Sequence, residues 1–344
     1  MTDTRQHAHA ESRRVKVQQL ARMETICSEP YLDRVVRPRL GSNASTSGPW
    51  KTEVIQLDGS GAATVRIALD DGTPVYAKAF PFADGPDVYG KLRMFRLGGF
   101  GEGRRYQTVE PLSWDAEQHV MLCRAAPGRA VGDLVGGPPA ELSAATAEAG
   151  RWLGTFHDAD LRVGAPQSLL VTGELTSLAK RLSKTTAERP EYLPVALEML
   201  AALDQLTYTT LDGVVTQTHG QYRPIHVFIA PGTTTVIDLD RSAPGDPARD
   251  VAEFLHHLRS STFVATGDTH LADQACSTFL AGYREVAPSG YLTNLQFHWA
   301  RYVMHSLSRQ VKSGDVVSRH IHRDPTYLRY RAEFDRIVDG SALA

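Results

Sequence analysis

The sequence predicts an α+β protein in two lobes, a small antiparallel β lobe followed by a larger helical one. Three observations predict it. Strand-like alternation fills residues 53–80 and is broken twice by Asp-Gly turn signals. Helical periodicity takes over from Pro139. Between the two, a strand over His119–Cys123 runs into Ala125-Ala126-Pro127-Gly128, a break that reads as a hinge.

The elements follow in order. Residues 1–12 read as a frayed tail, 13–40 as one or two short helices, and the Ser/Asn/Gly run 41–48 as a linker. Glu53–Leu57, Ala63–Leu69 and Pro74–Phe80 then alternate as three consecutive strands. Lys78 stands inside the third, either on a solvated face or reaching for an anion. Asp87–Leu97 is amphipathic through Val88, Leu92 and Phe95, and the Gly98–Gly103 cluster that follows reads as a turn, because it ends a helix rather than a strand. Helices are expected over Ser143–His157, Leu175–Leu182, Leu193–Leu206, Ala248–Arg259, Thr269–Val286, Tyr291–Lys312 and Tyr327–Val338. His157 reads as a helix C-terminal residue near the negative end of the helix dipole, not as a catalytic group. The expected division is 1–48 as tail and helical extension, 49–124 as the β lobe and 125–344 as the helical lobe.

One interruption in the helical half carries the chemistry. The apolar runs Val227–Ile229 and Thr235–Ile237 flank a Pro231-Gly232 turn and read as a hairpin. A hairpin brings its ends together, so Gln221, His226, Asp238 and Asp240 are expected to converge.

Composition excludes several classes. The 344 residues carry a formal charge of −2, which shows no global bias toward nucleic acid or an anionic membrane. Cys27, Cys123 and Cys276 are scattered and odd in number, which fits neither a disulfide framework nor a metal knuckle. No apolar run approaches a membrane span, and the polar N-terminus lacks a signal-peptide core, so the expected compartment is the cytoplasm.

The run His219-Gly220-Gln221 through His226, with Ile237-Asp238-Leu239-Asp240, Gly245-Asp246-Pro247 and Asp250-Val251-Ala252, resembles the aminoglycoside phosphotransferase family, a branch of the protein-kinase-like fold. Lys78 in its Val-x-Ala-Lys-type strand supports the resemblance from far upstream. The resemblance implies a bilobal protein-kinase-like fold that uses ATP and Mg²⁺. It implies that Lys78 contacts the α/β-phosphates, with Asp87, or alternatively Asp84, as its carboxylate partner. Main-chain groups from Cys123 to Ala126, with Cys123 and Ala125 foremost, would read the adenine edge. Asp238 would bind the metal, and Asp240 would either be a second ligand or pair with Arg241 or Arg249. His219 and Asp250 are implied to be structural, Asp250 by bracing the catalytic loop.

Two positions depart from the family pattern. Gln221 stands where the family has its catalytic Asp, and an amide is no general base. His226 stands where the family has a metal-binding Asn, and imidazole is a poorer partner for Mg²⁺ than oxygen. His226 is thus a hydrogen-bonding placeholder, a ligand, or a substitute base near neutral pH. The expected activity is phosphorylation of a hydroxyl, on a small molecule such as an antibiotic or other natural product or on Ser/Thr of a precursor peptide served by a partner lyase. The alternative is a pseudokinase scaffold. A basic cluster (Arg301, His305, Arg309, Lys312, Arg319, His320, His322, Arg323) either favours an acidic acceptor or forms a solvated face.

Overall fold

The computed structural model describes residues 20–40, 49–57, 62–69, 72, 74–81, 84–167, 171–207, 214–316 and 321–342. The linker 41–48, the Asp58–Gly61 turn and Asp70–Asp71 lie outside the described residues. The chain divides into two compact units, Met1–Gly128 with Ala230–Ile237, and Arg129–Ile229 with Asp238–Ala344. The strand after the Pro231-Gly232 turn therefore counts with the first unit, not with the helical one.

The first unit is built on β1 (Trp50–Leu57), β2 (Ala63–Leu69), β3 (Val75–Ala79), β5 (Pro111–Asp115) and β6 (Val120–Arg124), in the antiparallel order β1-β2-β3-β6-β5. A short strand β4 (Tyr106–Thr108), with no forecast in the sequence reading, pairs in parallel with β10 (Thr233–Val236). Helix α1 (Gly85–Phe95) turns through a π-helical stretch, Arg96–Phe100, where Gly99 takes a φ of 109°. In β3 the pleat buries Val75, Ala77 and Ala79 and leaves Tyr76 and Lys78 half-buried on the opposite face. The buried face meets the helical segment 20–40: Met23, Ile26, Tyr31, Leu32 and Val36 pack on Val65, Ile67, Val75, Ala77, Val120 and Leu122. The extension is thus a lid on the sheet's core rather than a separate tail, and truncating one such buried aliphatic to Ala costs about 2–5 kcal/mol.

The second unit is mainly helical. Helices α2 (Pro139–Asp158), α3 (Val171–Glu188), α4 (Leu193–Thr207), α5 (Pro247–Thr266), α6 (Thr269–Arg284), α7 (Leu295–Ser313) and α8 (Pro325–Val338) are mostly longer than their apolar stripes alone predict. The added first turns contain Pro139, Pro247 and Pro325, residues suited to positions whose N–H has no helical partner. Helices α2 and α6 touch backbone to backbone at Gly150 and Gly282; a Cβ on Gly150 would stand 2.2 Å from Phe279 O. The short strands β7 (Arg129–Ala130) and β9 (Val227–Ala230) pair with each other, and β8 (Thr216–Thr218) pairs with β11 (Ala243–Gly245). Among the described residues no helix is long and apolar enough to cross a membrane.

Candidate active site

Strand β8 ends at Thr218 and delivers His219-Gly220-Gln221 beside the first turn of α5. There Asp250 holds the loop: its carboxylate accepts from His219 N–H at 2.6 Å and Gly220 N–H at 2.9 Å. Gly220 has a φ of +83°, and a Cβ there would lie 2.3 Å from Arg241 O, so the turn demands glycine. Tyr222, fully buried, anchors the far side through its hydroxyl to Ala149 O at 2.8 Å and by stacking on Trp152 and Phe254.

His157 extends the sequence reading. It stands in the last turn of α2, as expected, but it is also a buried link: Nε2 lies 3.2 Å from Asp250 Oδ2, and Nδ1 lies 2.9 Å from the Tyr283 hydroxyl. Burial works against ionisation of Asp250, yet hydrogen bonding to His157 and to the His219 amide holds its carboxyl below the usual range. Asp246 caps α5 by accepting from Ala248 N–H, and its other oxygen meets Asn294 and His298.

The loop brings Gln221, His226 and Asp238 into one neighbourhood. His226 Nδ1 is 2.9 Å from the Gln221 carbonyl, which can only accept, so Nδ1 carries the proton. The bare Nε2 then faces Asp238 Oδ2 at 3.6 Å. The His219 ring stacks on His226 at 5.9 Å, and its Nδ1 accepts from Gln221 N–H. Burial, only partly offset by Asp238, lowers the His226 pKa to about 4. The ring is therefore neutral and only weakly basic at pH 7. Asp238 itself sits in the left-handed region at φ 64°, ψ 45°, a conformation Asp tolerates better than most and one that clusters at functional sites. Asp240 follows in the Leu239–Arg241 turn. Arg249 pairs with Glu174. The Gln221 amide oxygen accepts from Arg223 Nη2 at 2.8 Å and Nη1 at 3.2 Å, which turns its NH₂ outward as a donor.

In the first unit, Lys78 lies opposite Met121 and Thr64, with its ammonium 5.8 Å from the Phe80 ring centre. Asp87 is exposed and pairs with Lys91 at 3.0 Å. Cys123 is buried between β3 and β5. The Ala125 amide donates to Pro74 O, so that N–H is engaged inside its own lobe rather than offered to a purine.

The match to known proteins decides the family. The model of the phosphotransferase enzyme family, APH, matches residues 79–288, more than half of the chain. The chain belongs to this phosphotransferase family. No curated protein sequence matches it significantly. Among solved structures it is similar to an apo thermostable mutant of aminoglycoside phosphotransferase APH(4)-Ia, at 17% identity and TM-score 0.57, covering 85% of this chain and 95% of that one. It is similar also to choline kinase from Cryptosporidium parvum Iowa II, at 10% identity and TM-score 0.56, covering 92% and 98%. A glucosamine kinase in complex with glucosamine, ADP and inorganic phosphate aligns at 16% identity and TM-score 0.56, covering 86% and 84%. These likenesses establish the protein-kinase-like α+β fold.

Sequence reading missed most of what lies beside the loop of this phosphotransferase. A pocket of about 480 Å³ opens there, lined by Gly220 and Gln221 and by side chains of α3, α5 and α7. Arg301, His305 and Arg309, spaced by four on α7, were legible as a basic stripe. Arg181, Arg223, Arg241 and Arg249 join them from other elements and had no local signal. Lys312 pairs instead with Glu188, His322 and Arg323 are exposed outside the pocket, and Arg319 and His320 lie outside the described residues.

Proposed function

We propose that this phosphotransferase transfers the terminal phosphoryl group of ATP to a hydroxyl of a small molecule. The observation that carries the reading is the facing pair of His226 Nε2 and Asp238 Oδ2, two lone-pair donors 3.6 Å apart on a loop clamped by Asp250. Two acceptors at that separation with no proton between them suit a divalent cation. Asp238 offers the hard oxygen that Mg²⁺ needs, and His226 a nitrogen better suited to softer divalent ions. The cation would neutralise phosphate charge, and Lys78 is assigned the same task at the α/β-phosphates by its place in β3.

The chain's own groups account for the rest. Phosphoryl transfer passes through a loose transition state, so positioning outweighs base strength. The outward NH₂ of Gln221 donates to the acceptor oxygen and aligns it, and Arg223 fixes the amide's orientation. Absence of a base lowers the rate by roughly 10²–10⁴-fold without abolishing it. The bounded pocket favours a small acceptor over an extended peptide.

The test is a calorimetric titration of ATP into the full chain, with and without a divalent cation. Cation-dependent binding that is lost in Asp238→Ala and Lys78→Ala is the expected result. No ATP binding under either condition overturns the reading.

A further inference from the structure

Resting on the phosphotransferase reading, we propose that the acceptor is a hydroxylated small molecule bearing an anionic group (phosphate, sulfate or carboxylate) seated among the arginines of the second unit. Charge is the first argument. Six arginines line the pocket, Arg181, Arg223, Arg241, Arg249, Arg301 and Arg309, against two glutamates, Glu174 and Glu253. Both glutamates are already engaged. Glu174 is shared between Arg249 at 3.3 Å and Arg301 at 3.1 Å. Glu253, almost fully buried, accepts from Arg223 Nε at 2.7 Å and the Tyr302 hydroxyl at 2.8 Å. An ammonium-bearing acceptor would find no uncommitted carboxylate there.

The second argument is unmet donor capacity. Arg301 is 13% exposed, and its Nε and Nη2 are buried without a hydrogen-bond partner among the described residues. Leaving such donors unmet is costly, more so for a charged group, and a bound oxyanion supplies the missing acceptors. Arg241 and Arg309 form no side-chain ion pair among the described residues. The guanidinium fork suits phosphate, sulfate and carboxylate alike.

The third argument is the surrounding field. His256, His257 and His305 line the same pocket. Burial first, and then the neighbouring arginines and histidines, hold them at about 3, about 3 and about 4. Neutral at pH 7, they add hydrogen-bonding capacity without adding charge. Geometry completes the case. Arg309 lies two turns beyond Arg301 on α7, about 12 Å of rise, while Gln221 lines the same cavity. One small molecule seated in this cavity would meet both the α7 arginines and the catalytic loop.

The experiment is calorimetry on the full chain with four probes of similar size, glucose 6-phosphate, glucuronate, glucose and glucosamine, and with inorganic sulfate as a minimal anion. Expected is at least tenfold tighter binding of one of the anionic sugars than of glucose, with glucosamine weakest. Which of glucose 6-phosphate, glucuronate and sulfate binds best tells phosphate from carboxylate and sulfate. Arg309→Gln, an exposed position, should weaken the anion at least tenfold and leave ATP affinity unchanged. Arg301→Gln should do the same, with its thermal melt showing that it folds. Glucosamine binding as tightly as the anions, no binding of any anion, or an unchanged anion affinity in Arg309→Gln would overturn the proposal. Parallel ATP titration separates the two claims: anion binding without ATP binding sinks the transferase reading alone, and the reverse sinks this one.

Discussion

His157 and Asp250 meet in the buried interior of the helical unit, imidazole Nε2 to carboxylate Oδ2 at 3.2 Å, and through this contact α2 supports the loop that carries Gln221. Asp250 spends both oxygens on the loop, accepting from His219 and Gly220. Removing it strands the buried His219 N–H, the half-buried Gly220 N–H and a buried imidazole. Asp250→Ala should therefore lose about 3–5 kcal/mol in urea unfolding. His157→Phe keeps the volume but drops the donor and should cost about 1–3 kcal/mol. An unfolding midpoint within error of wild type in Asp250→Ala would remove the clamp from the account.

Gln221→Asp tests the altered end of the site. A carboxylate one methylene shorter would restore a base beside the acceptor hydroxyl. Arg223, which already grips the Gln221 amide oxygen, would also grip the carboxylate and weaken it as a base. The expected gain in kcat is thus about 10²-fold, the low end of general-base effects. A fall in turnover would mean that the amide NH₂ has a task of its own that a carboxylate cannot perform.

What the sequence disclosed, and what it hid, follows sequence distance. Strands β1–β3 were legible because alternation and turn residues are local, and the structure keeps Ala63–Leu69 residue for residue. The Asp246 cap is local in the same sense, since it bonds two residues away. His157 was not, because its partners lie 93 and 126 residues on and a helix-end histidine has an ordinary local explanation. Strand β4 was hidden because three residues cannot display a period, and its partner β10 is far along the chain. The arginine pocket was half visible. The α7 stripe repeats every four residues, but Arg181, Arg223, Arg241 and Arg249 each look like ordinary surface charge until the fold gathers them.

If His226 and Asp238 hold the cation as proposed, the pair predicts a metal preference. A nitrogen ligand in place of the family's Asn should make nucleotide binding stronger with Mn²⁺ than with Mg²⁺. His226→Asn should reverse that order by returning an oxygen donor, with at most a modest stability change. Calorimetric ATP titrations with each ion give the ratio directly. Equal affinity in both ions for wild type and variant would show that His226 is only a placeholder.

Acid should destabilise the fold well before the carboxylates titrate. In the unfolded chain each histidine protonates near 6.5, whereas burial holds His226 at about 4 and His256 at about 3 in the native state. Between those limits the unfolded state binds protons that the native state does not. Stability therefore rises with pH across this window, fully present above about pH 6.5 and lost as pH falls toward 4 and then 3. Each histidine contributes a slope of up to about 1.4 kcal/mol per pH unit. Asp246 and Asp250, held low in the native state, extend the same loss below their ordinary range. Urea midpoints measured at pH 7.5, 6 and 5 should fall steadily, and His256→Gln should reduce the linked proton uptake by one. His256 Nε2 also meets the Ser306 hydroxyl at 2.6 Å, a contact the glutamine amide can replace. A flat stability profile from pH 7.5 to 5 would mean that these histidines reach water and take up protons while folded.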